Sequence, residues 1–388
     1  MRKAMLGILT GVFLSYIALN ELWYLMPYAL SNTFPSNYSL VGTLIALIPI
    51  IEIPVAIAIG YYSDSGYSKR LVVGSIILLF IVSIFLAKGG VYSIVGAMAL
   101  AVPTMSIYIA ISSFITNKLR NQNVLYVGYE FSAMSAGAFL GYPISGYLYQ
   151  YLGFNQSIIA AVFFLIVALL ILYSLLEDTI KGTHDVCPRI QGFFEREKKA
   201  VRKFPRFLIG FLIFSAMSSF LFYSIFVSVT LLTVAEKSSI FISGVILGIV
   251  SLPEGFGYAV SDRIYKMKGK RPIIIGATIL STMVAFIVAL FAGQDILAIT
   301  LLLVSSCALA IGYIALFGFV LENDKRDVGE FSAFNIIGGG VGGAIGAILS
   351  GHTAGSAGIS TAMLAFIGIS LVFIIYFYSL CGEKSGFA

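Results

Sequence analysis

The chain has 388 residues, 59% of them hydrophobic and 11% charged. Soluble domains carry roughly 25% charged residues, and disorder needs low hydrophobicity with high charge, so both classes are excluded. The net charge of +6 alone could suggest nucleic acid, but its distribution along the chain argues otherwise.

Apolar stretches of the length of a membrane-crossing helix, about 18 residues or more, recur along the whole chain. A transmembrane barrel is excluded, because its strands are short and alternate in polarity. The expected fold class is therefore all-α, a polytopic membrane protein with twelve spans near 5–30, 39–62, 71–88, 91–116, 126–150, 156–176, 206–233, 239–260, 272–292, 296–320, 329–351 and 356–381. The first span follows Met1-Arg2-Lys3. It is too long for a signal peptide's apolar region and carries Asn20 and Glu21, so it reads as an uncleaved first helix.

With the N-terminus placed inside, the loops alternate sides. All 24 basic residues then lie on inside segments except Lys88 and Lys237. The excess of Lys and Arg on one side is the orientation signal of a multi-pass protein, with both termini cytoplasmic. It explains the basic charge as orientation and lipid attraction, with no nucleic-acid partner. The longest polar stretch, Glu177 to Arg206, divides the spans six and six. The expected units are an N-terminal bundle at 1–176, a cytoplasmic linker at 177–205 and a C-terminal bundle at 206–388. Glu195-Arg196-Glu197-Lys198-Lys199 could form a short surface helix, though a solvated linker is the simpler reading.

The halves repeat. Glu130-Phe131-Ser132-Ala133 opens span five and Glu330-Phe331-Ser332-Ala333 opens span eleven, each followed by glycines. Asp64 after span two is matched by Asp262 after span eight. Two parallel six-helix repeats are a layout of secondary transporters.

Span two ends Gly60-Tyr61-Tyr62-Ser63-Asp64-Ser65-Gly66-Tyr67-Ser68-Lys69-Arg70. This resembles the loop signature between helices two and three of the major facilitator superfamily. Tyr62 stands where an aliphatic residue is usual, Ser65 replaces the usual Arg, and Gly66 comes one place early. Ser261-Asp262-Arg263, with Gly269-Lys270-Arg271 beyond it, is similar to the same signature in stretched form. The resemblance implies two pseudo-symmetric six-helix bundles and a conformational latch formed by Gly60, Asp64, Lys69, Arg70, Asp262 and Arg263. Asp64 would sit against the positive amide end of span eleven, Asp262 against span five, and Lys69 and Arg70 would stay in water. Gly137, Gly141, Pro143 and Gly146 in span five look like the Gly/Pro-rich fifth helix of drug:proton antiporters in this superfamily, without their full pattern. Ile51-Glu52-Ile53-Pro54 followed by Gly60-Tyr61-Tyr62 is similar to a segment of its sugar efflux transporters, where it belongs to helix eight rather than helix two.

No Lys or Arg lies mid-membrane, yet Glu21, Glu52 and Glu254 do. A charged side chain at the bilayer centre costs about 2.5–3.5 kcal/mol or more, so each must be protonated, paired or hydrated. With no basic partner, a proton or a cationic substrate is the natural counter-ion. Glu21 leads, because Tyr16, Asn20 and Tyr24 form a polar stripe beside it and the first helix of this fold lines the central cavity. Glu254 shares a stripe with Ser251 and Tyr258 beside Pro253. Glu52 has apolar neighbours, which suits a packing role. Tyr108, Tyr223, Tyr313 and Asn335, with Thr104, Ser215, Ser218 and Ser219, add hydrogen-bonding groups suited to a sugar or an amphipathic drug. Single residues of this kind more often bond neighbouring helices.

The cysteines Cys187, Cys307 and Cys381 have no metal or disulfide spacing, and no phosphate-loop motif is present. No metal or cofactor is expected. No His, and no Ser/His/Asp grouping, falls inside a span, so an enzyme is not expected. The expected function is a secondary active transporter moving a small organic solute, with proton-coupled efflux first, proton-coupled uptake second and a non-transporting sensor third. The expected partners are a small-molecule substrate, protons and the lipid bilayer of the cell membrane, and a monomer is expected because this fold commonly works as one.

Overall fold

The structure, a computed structural model, describes residues 2–118, 123–178, 205–268, 270–290, 304–314, 328–353 and 358–382. In order, these form α1 (Arg2–Thr33), α2 (Tyr38–Asp64), α3 (Ser68–Lys88), α4 (Val91–Ala99), α5 (Ala101–Lys118), α6 (Asn123–Leu152) and α7 (Phe154–Leu175). They continue with α8 (Pro205–Ala235), α9 (Ile240–Lys268), α10 (Lys270–Leu290), α11 (Val304–Ile314), α12 (Val328–His352) and α13 (Gly358–Gly382). No strand occurs among the described residues. Each of the twelve expected spans coincides with helix, the ninth, tenth and twelfth over their described parts. The polar stretch expected as a linker falls outside the described residues from 179 to 204.

Span four is built from two helices. Pro103 lacks the amide that would bond the Ala99 carbonyl, so α4 stops there and α5 begins at Ala101. Elsewhere proline is absorbed inside helices, at Pro27, Pro49, Pro54, Pro143 and Pro253. Helices hold all backbone hydrogen bonds internally, which is what lets them cross lipid. Serine and threonine hydroxyls follow the same rule by bonding carbonyls four residues back, as at Ser75, Ser83, Thr104 and Thr230.

The helices that carry the first half meet those of the second along two seams. One joins α6 to α9 and the other joins α2 to α12, which also packs on α8. Within the first half, α1 lies against α6 and α7. Lipid removes the hydrophobic drive between helices, so association rests on close van der Waals contact through small residues. An added Cβ at Gly342 would fall 1.9 Å from the Ala216 carbonyl oxygen, and one at Gly42 would fall 2.5 Å from the Gly351 Cα. The glycine run of α12 thus lets one helix slot between two others. The outer faces are apolar and exposed, for example Ile84, Phe163, Leu170 and Ile375, as lipid contact requires.

Candidate functional site

Three expected site residues assemble into one polar chain across the seams. The Ser215 hydroxyl of α8 donates to Oδ1 of Asn335 on α12. The Asn335 Nδ2 donates to the Tyr313 hydroxyl of α11 at 2.7 Å, and Tyr313 bonds the Tyr108 hydroxyl of α5 at 3.2 Å. The chain therefore links an α5 phenol of the first half to three helices of the second. Phe131 of α6 packs its ring against Tyr108, Tyr258 and Tyr313, with centroids 5.5, 5.1 and 5.6 Å away. Tyr258 lies one turn after Glu254 on α9 and donates to its Oε1 at 2.8 Å.

The carboxylates around this cluster differ in their surroundings. Glu52 is buried on α2, between Pro49 and Ile53, both of which touch the α12 glycines. It lies within electrostatic reach of Tyr16 on α1 and Tyr223 on α8, so it sits where the halves meet. Glu130 is fully buried and accepts from the Ser112 hydroxyl at both oxygens, at 3.0 and 2.9 Å. It is within reach of Tyr16 and Tyr313. The sequence marks Glu130 only as part of a repeat at the mouth of span five. Because α6 starts at Asn123, Glu130 is two turns inside, and a serine on the facing span was the available signal.

Glu21 is placed apart from this cluster. It is fully buried, and both carboxylate oxygens lack a hydrogen-bond partner. Its backbone carbonyl accepts from Ser145 of α6. Helix geometry of about 100° per residue puts Glu21 some 40° from Ile17, which faces Gly141 of α6, some 40° from Gly7, which faces Leu175 of α7, and some 20° from Tyr28, which bonds Ser243 of α9. Trp23, on nearly the opposite side, donates to Thr104 at 3.2 Å and meets the rings of Tyr223 and Phe226 at 6.0 Å. The polar stripe itself does face the seam. Asn20 bonds the Tyr16 carbonyl, and the Tyr24 hydroxyl bonds the Ile240 carbonyl and Ser243 of α9. Tyr28, one turn on, bonds Tyr24 and Ser243 at 3.0 and 2.9 Å, closing the end of the bundle opposite the α1 start.

A cleft of about 50 Å³ opens between α6, α8, α9 and α11. Glu254 lines it with Tyr142, Ser218, Phe222, Phe226 and Ser306.

At the loop after α2, Gly60 is buried and Asp64 accepts from Ser113 of α5 at 2.9 Å. Ser113 is the neighbour of the serine that holds Glu130. The amides of Lys69 and Arg70 donate to Oδ1 of Asp178 at 3.0 and 3.3 Å, and the Arg70 Nε lies 3.0 Å from Oδ2. Asp178, just past α7, thus neutralises the positive start of α3. The Arg70 side chain is 67% exposed, as expected for a residue in water. The Lys69 ammonium instead lies over the Tyr173 ring, 4.1 Å from its centroid. Arg263 is exposed on α9. The side chains of Asp262 and Glu330 lie outside the described residues.

A family model described as Major Facilitator Superfamily matches residues 8–325. The chain belongs to the Major Facilitator Superfamily. The fold agrees with solved structures of this superfamily's architecture. The human organic anion transporter MFSD10 (TETRAN) superposes with a TM-score of 0.72 at 13% identity, covering 97% of this chain and 99% of its own. The nucleoside transporter NupG gives 0.71 at 16%, with 97% and 99% covered. A bacterial homologue of the iron transporter ferroportin, in an outward-facing state, gives 0.72 at 12%, with 98% and 100% covered. No curated protein matches the sequence significantly. As a member of the superfamily the chain is a multi-pass membrane transporter.

Proposed function

We propose that the chain exports a small organic solute from the cell in exchange for protons. Residues 1–176 and 206–388 act as two bundles that rock about a midplane site, with 177–205 as their linker and both termini cytoplasmic. One observation carries the reading. Glu52, Glu130 and Glu254 gather with five phenols, Tyr16, Tyr108, Tyr223, Tyr258 and Tyr313, at the junction of the halves, and among the described residues no Lys, Arg or His is buried. A carboxylate in that setting is neutral only when it holds a proton, and it is charged only when a mobile cation or water faces it. Rocking exposes the junction to each side in turn, so the proton can load on one side and leave on the other.

Glu52 is assigned as the coupling carboxylate because it lies between helices of both halves. Tyr24, Tyr28 and Ser243 form the closed gate on the outer side. Gly60 and Asp64 form the latch on the cytoplasmic side, and the Ser112–Ser113 pair places that latch next to Glu130. The likeness of span five to drug:proton antiporters supports the outward direction.

The test is flux in liposomes. A substrate panel ranked by thermal shift on the purified protein supplies the solute. Its movement should follow an imposed pH gradient and collapse with a protonophore. Flux indifferent to the protonophore overturns the coupling.

A further inference from the structure

The cleft beside Glu254 has a chemistry that selects its occupant. Its wall presents one carboxylate, the three rings of Tyr142, Phe222 and Phe226, and the hydroxyls of Ser218 and Ser306. Among the described residues, no basic residue lines it. An anion would be repelled by the carboxylate and would find no basic partner among the described lining residues. A sugar would find few hydroxyls and would leave the carboxylate without a counter-charge. A cation satisfies both features at once, because aromatic rings attract positive charge and the carboxylate neutralises it.

Size narrows the class further. A water needs roughly 10–15 Å³ of such space, so about 50 Å³ accommodates roughly three to five groups of that size. That is the bulk of a nitrogen with its methyl groups rather than of a whole drug. We propose that the cleft binds the head of an organic cation, an alkylated ammonium, with Glu254 as its counter-charge and Tyr142, Phe222 and Phe226 as its aromatic cage. This rests on the reading above that the junction of the halves is the transport site, and it names the substrate class for it.

The ammonium head then supplies Glu254 with a counter-charge inside the membrane, a role separate from the coupling assigned to Glu52. Glu254 is faced by Tyr258 on its own helix and by Tyr142 on α6. From α8 and α11 the cleft receives serine hydroxyls and apolar or aromatic side chains. Among the described residues, Glu254 is the charged group that lines the cleft.

The chain supplies its own reporter. Trp23 is its single tryptophan, and its ring lies 6.0 Å from that of Phe226 in the cleft wall. The full chain is placed in nanodiscs of phosphatidylcholine, which carries no net charge, and titrated with benzyltrimethylammonium while tryptophan emission is followed. Neopentylbenzene, the uncharged isostere, and phenylacetate, an anion, serve as controls. The cation should give a saturable change at concentrations at least about tenfold below any response to the isostere, and phenylacetate should give none. Glu254→Gln should weaken the cation by about tenfold or more. Equal responses to cation and isostere, or unchanged affinity in Glu254→Gln, overturn the proposal. The isostere comparison needs no variant, so poor folding of Glu254→Gln leaves the test decisive. If the cation fails to bind while another solute still moves with the pH gradient, this inference falls and proton-coupled export stands. If the cation binds but solute flux ignores the gradient, the cleft assignment stands and the coupling falls.

Discussion

Glu21 and Glu52 lie on consecutive helices, and both are buried among apolar side chains, yet they occupy different kinds of place. Glu21 is fully buried on α1, which packs on α6 and α7, and neither oxygen finds a hydrogen-bond partner. Glu52 is buried on α2, the helix that packs on α12 of the second half, within electrostatic reach of phenols from α1 and α8. The cost of holding a carboxylate in lipid is the same for both. What differs is whether the surrounding contact opens during a cycle. A group inside a bundle keeps its neighbours, whereas a group at a seam meets water each time the halves part. Location relative to the moving seam, rather than burial, separates a coupling residue from a packed one.

Three substitutions test that contrast. Glu52→Gln should have the largest effect. It keeps the shape and removes the titration, so proton-driven flux should fall by about tenfold or more, a barrier change of ~1.4 kcal/mol, with expression intact. Flux at the unaltered rate would place coupling elsewhere. Ser112→Ala should come next. It leaves both Glu130 oxygens without their donor, at a cost of about 1–3 kcal/mol, read as a lower thermal midpoint in detergent. An unchanged midpoint would mean that water already satisfies Glu130. Glu21→Leu should have the smallest effect on transport. Removing a carboxyl with no partner should raise the thermal midpoint slightly and leave flux within about twofold. Lost flux in a well-folded Glu21→Leu protein would erase the distinction between the two glutamates.

Much of the architecture could be read from the residues because lipid imposes strong one-dimensional rules. A segment such as Phe154–Leu175 declares itself by length and apolarity, and the side preference of Lys and Arg orders the loops. The glycines of α12 announce close contact before any partner is known. The site was less legible. Tyr108, Tyr313 and Asn335 are isolated polar residues in the sequence, on three different helices, and only their juxtaposition makes a hydrogen-bonded chain of them. Glu130 looked like a boundary marker because the start of α6 could not be fixed to within a turn. Glu21 ranked first because a helix stripe shows which residues are neighbours but not which other helix they face.

The sequence by itself determined the class of solvent, the apolar helical spans, their repetition across the two halves and the scarcity of positive charge in the interior. Each of these follows from composition and spacing along one dimension, where the bilayer acts on every segment alike. Only the tertiary structure decided which carboxylates border the seams, which phenols connect the halves and where a cleft remains. Those depend on the rotation of each helix about its axis, and that angle is set by contact between helices far apart in the chain.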